Sequence, residues 1–437
     1  MSELAISTIA EVNPAVQIPK GLTGGDAVSF IPMGNVSESG RWTLKQSRPL
    51  RSVAAGFTAF EEGDVLLAKI TPCMENGKGA HAVGLENGIG FGSTEFHVLR
   101  ARPGNAPRFV FHLSQWRRFR HAAEGQMVGS AGQQRVPRAF FNEFLVADFD
   151  AGQQASIAQV LDTLDTAIHA TEAIIAKLKA VKQGLLHDLL TRGIDANGEL
   201  RPPQAEAPHL YKQSPLGWIP KEWEVIPLGD LSESLVDGPF GSNLKSAHYV
   251  ENPGVRVVRL QNILAGEYDD SERAFISERH AASLVRNRVI AGDALIASLG
   301  DTSYPVGRSC CYPTDLPDAI NKADCFRFRS GPRCRNKFVM HSMNGAAARK
   351  QVRGYEQGVT MKRINLGNLR RINIALPSMS EQDAIVEHLE GSQQQIDLSL
   401  LQLQKLRNEK SALMDDLLTG RVRVTPLLTA EHPQKSA

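Results

Sequence analysis

The chain has 437 residues, of which 42% are hydrophobic, and its 49 lysines and arginines nearly balance its 47 aspartates and glutamates. This length predicts two or three domains with sizeable cores. No apolar run of eighteen residues occurs and the first residues lack a signal-peptide pattern, so we expect neither a membrane span nor secretion. Five cysteines without a C-x-x-C pair favour reduced thiols and a cytoplasmic location.

The chain contains an internal repeat. Three segments each recur at an offset of 228 or 229 residues: 63–68 as 292–297, 108–112 as 337–341, and 187–191 as 415–419. An offset that holds to one residue over most of each half indicates two copies of one structural unit. The repeat therefore predicts that the chain performs one task twice, once with each copy of the structural unit.

In chain order, residues 1–150 predict a first strand-rich domain. Short apolar runs at 65–68 and 96–99 are bounded by turn-forming residues, and a helical stretch is predicted near 107–123. Residues 151–192 then predict a long helix that follows the cap Asp150 and stops before Gly193. Its apolar positions alternate steps of four and three, which is a heptad seam. The seam comprises Ile157, Leu161, Leu164, Ile168, Ile175, Leu178, Leu185 and Leu189.

The second copy repeats this order after a proline-containing linker at 193–213. Residues 214–378 predict the second strand-rich domain, and residues 379–421 predict a C-terminal helix capped by Ser380 and followed by a tail at 422–437. The second seam comprises Ile385, Leu389, Ile396, Leu403, Leu406, Leu413 and Leu417.

The two seams match in their unusual residues as well. Thr171 corresponds to Ser399, and Lys182 corresponds to Lys410. Shared polar residues at equivalent seam positions indicate that the helices pack against each other. The sequence thus predicts an α+β fold with two tandem domains and an antiparallel coiled coil of pseudo-twofold symmetry. The alternative is that both are core helices of ordinary domains.

Positive charge is concentrated in the second domain. Residues 321–371 contain 13 lysines and arginines but only 2 acidic residues. Such a stretch favours a surface that follows a phosphate backbone, whereas the slightly acidic helices favour contacts with protein. A solvated charged face is the alternative.

Motifs of catalysis are missing from the sequence. There is no adenine-methylase tetrapeptide, no acidic residue two positions before a lysine as in common nuclease sites, and no P-loop. The histidines lack metal-ligand spacing. The sequence therefore predicts a binding protein without a catalytic site, a metal or a cofactor of its own.

Several motifs resemble the specificity (S) subunits of type I restriction-modification systems. Residues 376–382 read LPSMSEQ and run into the heptad helix, which ends as DLLTGR at 416–421. The segments QGLLHDLLT at 183–191 and LGWIPKEW at 216–223 are similar to the same family. Phe149 and Gln153 depart from the second copy, which has Pro377 and Glu381, while Gln154 matches Gln382.

This resemblance implies two target-recognition domains that read the halves of an interrupted DNA site, with the helices setting the gap. It implies double-stranded DNA, two methylase subunits and, where the system restricts, two restriction subunits as partners. S-adenosylmethionine would then belong to the methylase, and ATP and Mg to the restriction subunit.

Base contact requires donors and acceptors on loops or strand ends. Candidate DNA-binding residues in the first domain are Lys69, Thr71, Asn76, Lys78, Ser93, Thr94, Gln133, Gln134 and Arg135. Candidates in the second domain are Ser298, Thr302, Tyr304, Lys322, Lys362 and Arg363. For each of them ordinary solvent exposure is the alternative.

Three other functions stay open at this point. One is the specificity subunit of a related methylase-nuclease fusion system, which only the neighbouring partner would distinguish. A self-contained restriction or methylation enzyme is disfavoured by the missing motifs. A coiled-coil adaptor that binds only proteins is disfavoured by the basic stretch.

Overall fold

The structure is a computed structural model that describes residues 2–130, 132–239, 241–251 and 254–424. The chain divides into two compact units. The first comprises the residues up to Ala173 together with those from Ser399, and the second is Ile174–Leu398. Each unit therefore contains one globular domain and one half of each long helix. Residues 425–437 of the predicted tail lie outside the described part.

The first unit is an α+β domain joined to helix. Its strands are β1 (Glu3–Ala5), β2 (Ala10–Val12), β3 (Ala27–Ile31), β4 (Gln46–Pro49), β5 (Thr58–Glu61), β6 (Val65–Ala68), β7 (Gly79–His81), β8 (Ile89–Gly92), β9 (Phe96–Ala101) and β10 (Leu145–Ala147). Its helices are α1 (Ile6–Ile9), α2 (Pro107–Gln115), α3 (Arg117–Glu124), α4 (Phe140–Glu143) and the first half of α5 (Ala151–Thr191).

The second unit is built in the same way. Its strands are β11 (Tyr211–Ser214), β12 (Gly217–Pro220), β13 (Glu224–Pro227), β14 (Ser232–Val236), β15 (Tyr249–Val250), β16 (Val255–Val258), β17 (Phe275–Ile276), β18 (Arg288–Val289), β19 (Ala294–Ala297), β20 (Leu299–Gly300), β21 (Ser309–Cys311), β22 (Ala319–Asn321), β23 (Cys325–Ser330), β24 (Lys362–Arg363) and β25 (Asn373–Leu376). Its helices are α6 (Leu228–Leu231), α7 (Glu278–Ala282), α8 (Asn336–Asn344), α9 (Ala346–Tyr355), α10 (Leu366–Arg370) and the first half of α11 (Met379–Leu418).

The sheets confirm the repeat. An antiparallel sheet β2-β9-β6-β7 in the first domain corresponds to β14-β23-β19-β21 in the second. Each domain also has a second sheet around one parallel pair, β3 with β8 and β16 with β22. In each domain a bidentate ion pair stabilises the antiparallel sheet: Arg100 binds Asp64 in the first domain, and Arg329 binds Asp293 in the second. Both carboxylates are buried. The copies therefore share strand order and internal bracing.

The helix ends follow the local sequence, with one correction. Asp150 caps α5 as predicted, since its carboxylate accepts the amide of Gln153 at 2.8 Å. The cap of α11 is Ser378, whose hydroxyl accepts the amide of Glu381, and not Ser380, which lies inside the first turn. Gly193 and Gly420 follow the two helix ends with positive φ, the backbone conformation that glycine adopts without strain.

The predicted seam residues face inward in both units. Each of the fifteen is buried or half-buried. The terminal turns of the seams join the domain cores: Ile157, Leu161 and Leu417 in the first unit, Leu189, Ile385 and Leu389 in the second. The helix ends are thus part of the domains, a role that the heptad pattern alone did not predict.

Polar bonds fix the register of the helices inside each unit. In the first unit, the ammonium group of Lys410 donates to the carboxylate of Asp165 at 2.5 Å. In the second unit, the equivalent Lys182 donates to the amide oxygen of Gln393. Asp165 and Gln393 are themselves 228 residues apart, so both units use the same antiparallel register. The predicted antiparallel pairing is therefore confirmed within each unit.

A buried glutamine ties the start of each long helix to its domain. The side chain of Gln382 accepts the amide of Arg335 at 2.9 Å and donates to the carbonyls of Arg333 and Pro377. Gln154 makes the equivalent bonds to the amide of Ala106 and the carbonyl of Phe149. Both glutamines are at most 2% exposed.

No helix in the described part of the chain combines the length and apolarity needed to cross a bilayer.

We expect Gln382→Leu to destabilise the second unit. Leucine would leave a buried amide and two carbonyls without partners, and each such group costs about 1–3 kcal/mol. Urea denaturation of the full chain, followed by circular dichroism, would measure this loss. The control is Gln394→Leu, at an exposed position of the same helix. An equal change in both variants would contradict the anchoring role.

Candidate nucleic-acid interface

Most of the predicted residues of the first domain lie near one another, on segments that follow strands. The amide of Lys69, just after β6, donates to the carbonyl of Glu95, and its carbonyl accepts the amide of Val136 at 2.9 Å. The amide of Thr71 donates to the carbonyl of Gln134. Residues 69–71, 93–95 and 133–136 are therefore adjacent. Asn76, Thr94 and Gln133 are exposed, and Lys78 and Ser93 are half-buried.

An ion pair holds this loop cluster together. The guanidinium of Arg135 donates to both carboxylate oxygens of Glu95, at 2.9 and 2.8 Å. These bonds lower the pKa of the Glu95 carboxyl below its ordinary value. Arg135 is thus fixed by its own domain, whereas the side chain of Gln133 projects from the same loop into solvent.

The second domain has the equivalent cluster. The amide of Ser298 donates to the carbonyl of Asp324, and its carbonyl accepts the amide of Ile364 at 2.9 Å. Arg363 forms an ion pair with Asp324, as Arg135 does with Glu95. Lys362 lies 3.1 Å from the carboxylate of Glu356 and stays exposed. The two copies therefore hold the same loop by the same chemistry.

The structure changes the residue correspondence in this loop. The offset of 229 that relates the strands predicts that Gln133 and Gln134 correspond to Lys362 and Arg363. The bridge between Ile70 and Arg135 corresponds instead to the pairing of Leu299 with Arg363. The offset is therefore 228 here, since the second copy is one residue shorter between 357 and 363. Ala131 of this loop lies outside the described residues.

The remaining candidates of the second domain differ in exposure. Thr302 and Tyr304 are exposed on the loop after β20, where Asp301 caps the turn. The ammonium group of Lys322 lies 5.3 Å from the ring centre of Tyr249. Ser298 is only 3% exposed, so its side chain is not available for contact in this structure.

Much of the positive charge of residues 321–371 is already paired within the protein. Six of its thirteen cations form ion pairs with carboxylates: Arg329, Arg333, Arg335, Lys337, Lys362 and Arg363. Most of these carboxylates lie outside the stretch. Among the described residues, exposed cations of the stretch without an ion-pair partner are Lys350, Arg353, Arg370 and Arg371, of which Arg370 donates to the carbonyl of Leu235. The sequence count therefore overstated the charge available to a phosphate backbone.

Two apolar side chains beside Lys362 were missed by the sequence reasoning. Val359 is 94% exposed and Met361 is 47% exposed. They lie on the loop that leads into β24, whose partner strand β20 precedes the exposed Tyr304. Apolar groups on a recognition loop can contact thymine methyl groups. The sequence does contain a sign of these exposed apolar residues, because Val359 and Met361 alternate with glycine, threonine and lysine in the segment 358–362.

One histidine-carboxylate cluster has the spacing of a metal site. His112, Asp162 and Asp165 in the first unit place their ligand atoms close together. However, Asp162 is bonded to Arg108 and to His112, and Asp165 is bonded to Lys410. The second domain repeats the first of these contacts as an ion pair between Lys337 and Glu390. We therefore interpret the cluster as a set of polar contacts that hold the first domain against the long helices of its unit, and not as a metal site.

A comparison with protein-family models finds a match in the second half of the chain. Residues 220–408 match the type I restriction modification DNA specificity domain. This part of the chain belongs to that family. The resemblance predicted from the sequence is therefore confirmed, and the second domain with most of α11 is a type I specificity domain.

Curated relatives agree with this specificity domain. The EcoAI specificity subunit of Escherichia coli is 41% identical over 141 residues, which are 31% of this chain and 23% of that protein. The MjaVIII specificity subunit of Methanocaldococcus jannaschii is 24% identical over 280 residues, 63% of this chain and 61% of that protein. The chain thus spans between about a quarter and three fifths of the length of these relatives.

Solved structures share the fold over nearly the whole chain. A chain from a study of complex assembly and conformational transition in a type I R-M system has a TM-score of 0.58 at 16% identity, covering 96% of this chain and 98% of that one. A type I restriction-modification S subunit from M. genitalium has a TM-score of 0.52 at 14% identity, covering 95% and 96%. The predicted α+β fold with two tandem domains and long helices is confirmed.

We expect Glu95→Gln to loosen the loop of the first domain. A neutral amide cannot replace the charged bonds to Arg135, and a partly exposed pair of this kind contributes up to about 1 kcal/mol. Hydrogen exchange should therefore speed up by up to about fivefold in residues 128–136. The lowered pKa means that this contribution is present at neutral pH and disappears as pH falls through the folded-state value. Glu11→Gln, at an exposed position, is the control, and equal exchange in both variants would contradict the role of the pair.

Proposed function

We propose that the chain is a non-catalytic specificity subunit that recognises an interrupted, two-part target in duplex DNA. The observation that carries this proposal is the duplication of one domain with a common framework and different loop side chains. Lys69 of the first copy corresponds to Ser298 of the second, and Gln134 corresponds to Lys362. Because base edges are distinguished by their donors and acceptors, such differences suit two unlike half-sites.

In this proposal the long helices serve as the spacer and as the docking surface for catalytic partners. Several apolar side chains of these helices stay exposed within their units, including Ile174 at 54%, Val181 at 54% and Leu401 at 69%. Exposed apolar patches favour interaction with other proteins. The partners would be two methylase subunits, which bind S-adenosylmethionine, and two restriction subunits, which use ATP and Mg, where the system restricts.

Genome-wide detection of N6-methyladenine tests the proposal directly. Host DNA is sequenced with and without this gene, while the partner methylase gene is kept. We expect a split motif that is methylated only when the gene is present. A methylated motif that persists unchanged after deletion would contradict the specificity role.

The loop segment that carries Lys362 and Arg363 gives a more local prediction. Lys362→Ala combined with Arg363→Ala should weaken binding of the assembled complex to all DNA sequences and reduce the salt slope by about two, one for each lost phosphate contact. The matched control is Lys212→Ala with Lys221→Ala, which removes the same charge from exposed positions of the same unit. An unchanged salt slope in the first variant would remove this loop from the phosphate interface.

A further inference from the structure

The second unit contains a cavity that is lined by none of the candidate DNA-binding residues. It has a volume of about 490 Å³ and opens to solvent between α5, the junction of α8 and α9, and strands β12 and β25. Its walls are mostly apolar and include Leu186, Leu190, Trp218 and Ile374. Because apolar cavities of about 150 Å³ already bind benzene, this one has room for a larger aromatic group.

The equivalent place in the first unit is filled by a tryptophan. Trp116 lies at the junction of α2 and α3 and is 2% exposed. Its indole N–H donates to the carboxylate of Asp415 on α11 at 2.6 Å. Met414 and Leu418 of the same helix are buried in the core cluster that contains this ring. The indole thus completes the packing between domain and helix.

Three side chains are smaller in the second copy at matching positions. Gly345 stands where the first copy has Trp116, Ser342 where it has Leu113, and Ala347 where it has Arg118. The backbone match is secure, because α2 and α8 are both nine residues long and start 229 residues apart. In the first copy the guanidinium of Arg118 covers the indole at 5.5 Å from the ring centre. The cavity therefore lies where the first copy places an indole and its cover. Leu190 fills part of that space, since its Cδ1 would lie 2.7 Å from a Cβ at position 345.

Two leucines of α5 beside the cavity are less buried than the equivalent residues of α11 in the first unit. Leu186 and Leu190 correspond to Met414 and Leu418, yet they are only half-buried and line the cavity. In the first copy the same two positions are at most 6% exposed. The apolar surface around the cavity thus includes two positions that, in the first copy, are buried in the same core cluster as Trp116.

The cavity also carries an unused polar group. Ser342 lines it, is 8% exposed, and its hydroxyl has no hydrogen-bond partner among the described residues. A buried hydroxyl without a partner is unfavourable unless a ligand or water bonds to it. His187, at the position of Asp415, lies at the rim and offers a ring nitrogen as a second acceptor.

We propose that this cavity binds an indole-sized aromatic ring that carries a hydrogen-bond donor. The apolar walls cover the ring faces, and Ser342 and His187 accept its donor, in place of the contact that Asp415 makes in the first unit. The ring comes either from a free small molecule or from an aromatic side chain of a protein partner. The chemistry at the cavity is the same in both cases.

Indole itself is the probe, and isothermal titration of the purified full chain is the measurement. We expect one binding site per chain. Ala347→Trp introduces a bulky ring at an exposed position of the cavity mouth and should weaken indole binding at least tenfold. Ala265→Trp, at an exposed loop position of the same unit, is the matched control and should leave binding unchanged. No indole binding by the unmodified chain, or equal binding by both variants, would overturn the proposal.

The first unit supplies an independent check. Trp116→Gly should open the corresponding cavity and raise the stoichiometry from one indole to two. If this variant fails to fold, the comparison of Ala347→Trp with Ala265→Trp still decides the matter. Unchanged stoichiometry in a folded Trp116→Gly chain would contradict the idea that the cavity is defined by the missing indole.

The source of the ring is distinguished with the assembled methylase complex, and this step alone depends on the proposed function. Loss of indole binding on assembly would assign the ring to a partner's side chain. Retained binding would assign it to a free small molecule. Because the free chain is titrated separately, failure of the complex to assemble cannot be confused with failure of the cavity to bind.

Discussion

Each long helix carries an apolar seam that cannot stay in water, and covering this seam is the constraint on which the rest of the structure depends. Helix α5 has 41 residues and α11 has 40, and helices of this kind gain most of their stability from tertiary packing. Within each unit the middle turns pair with the other helix, while the terminal turns enter a domain core. The buried Gln154 and Gln382 then hold each helix start against its domain by backbone bonds.

A comparison of the two copies distinguishes the contacts that both domains share from the loop side chains that differ between them. The pairs of Asp64 with Arg100 and of Asp293 with Arg329 brace the same strands, and Glu95 and Asp324 hold the same loop through an arginine. A paired, partly buried cation is held in place by its own protein and is poorly placed to discriminate bases. In the proposed function, readout would instead fall to exposed side chains of the neighbouring loops, such as Gln133, Thr302 and Tyr304.

The sequence predicted the helices, their seams and the repeat because these depend on periodic patterns of local apolar residues. It overstated the basic surface, because the carboxylates that pair with Arg329, Arg335 and Lys337 lie outside the counted stretch. A fixed offset also misaligned the loop before Arg363, since a single missing residue is visible only from strand pairing. The cap Ser378 and the buried state of Ser298 likewise depend on the folded backbone.

The cavity beside Gly345 could not be predicted from the sequence of the second copy alone. Glycine, serine and alanine at 345, 342 and 347 are unremarkable in the sequence, because a missing side chain leaves no pattern. Their meaning appears only beside Trp116, Leu113 and Arg118, which occupy the same backbone positions in the first unit. The core that the first copy completes with its own indole is left open in the second, although the strand order and the helix anchors are retained. The framework thus tolerates the loss of a large buried ring, which requires that the remaining contacts of α5 with its domain be sufficient for folding. The two copies are therefore equivalent in architecture but differ in what their helix–domain junctions can bind.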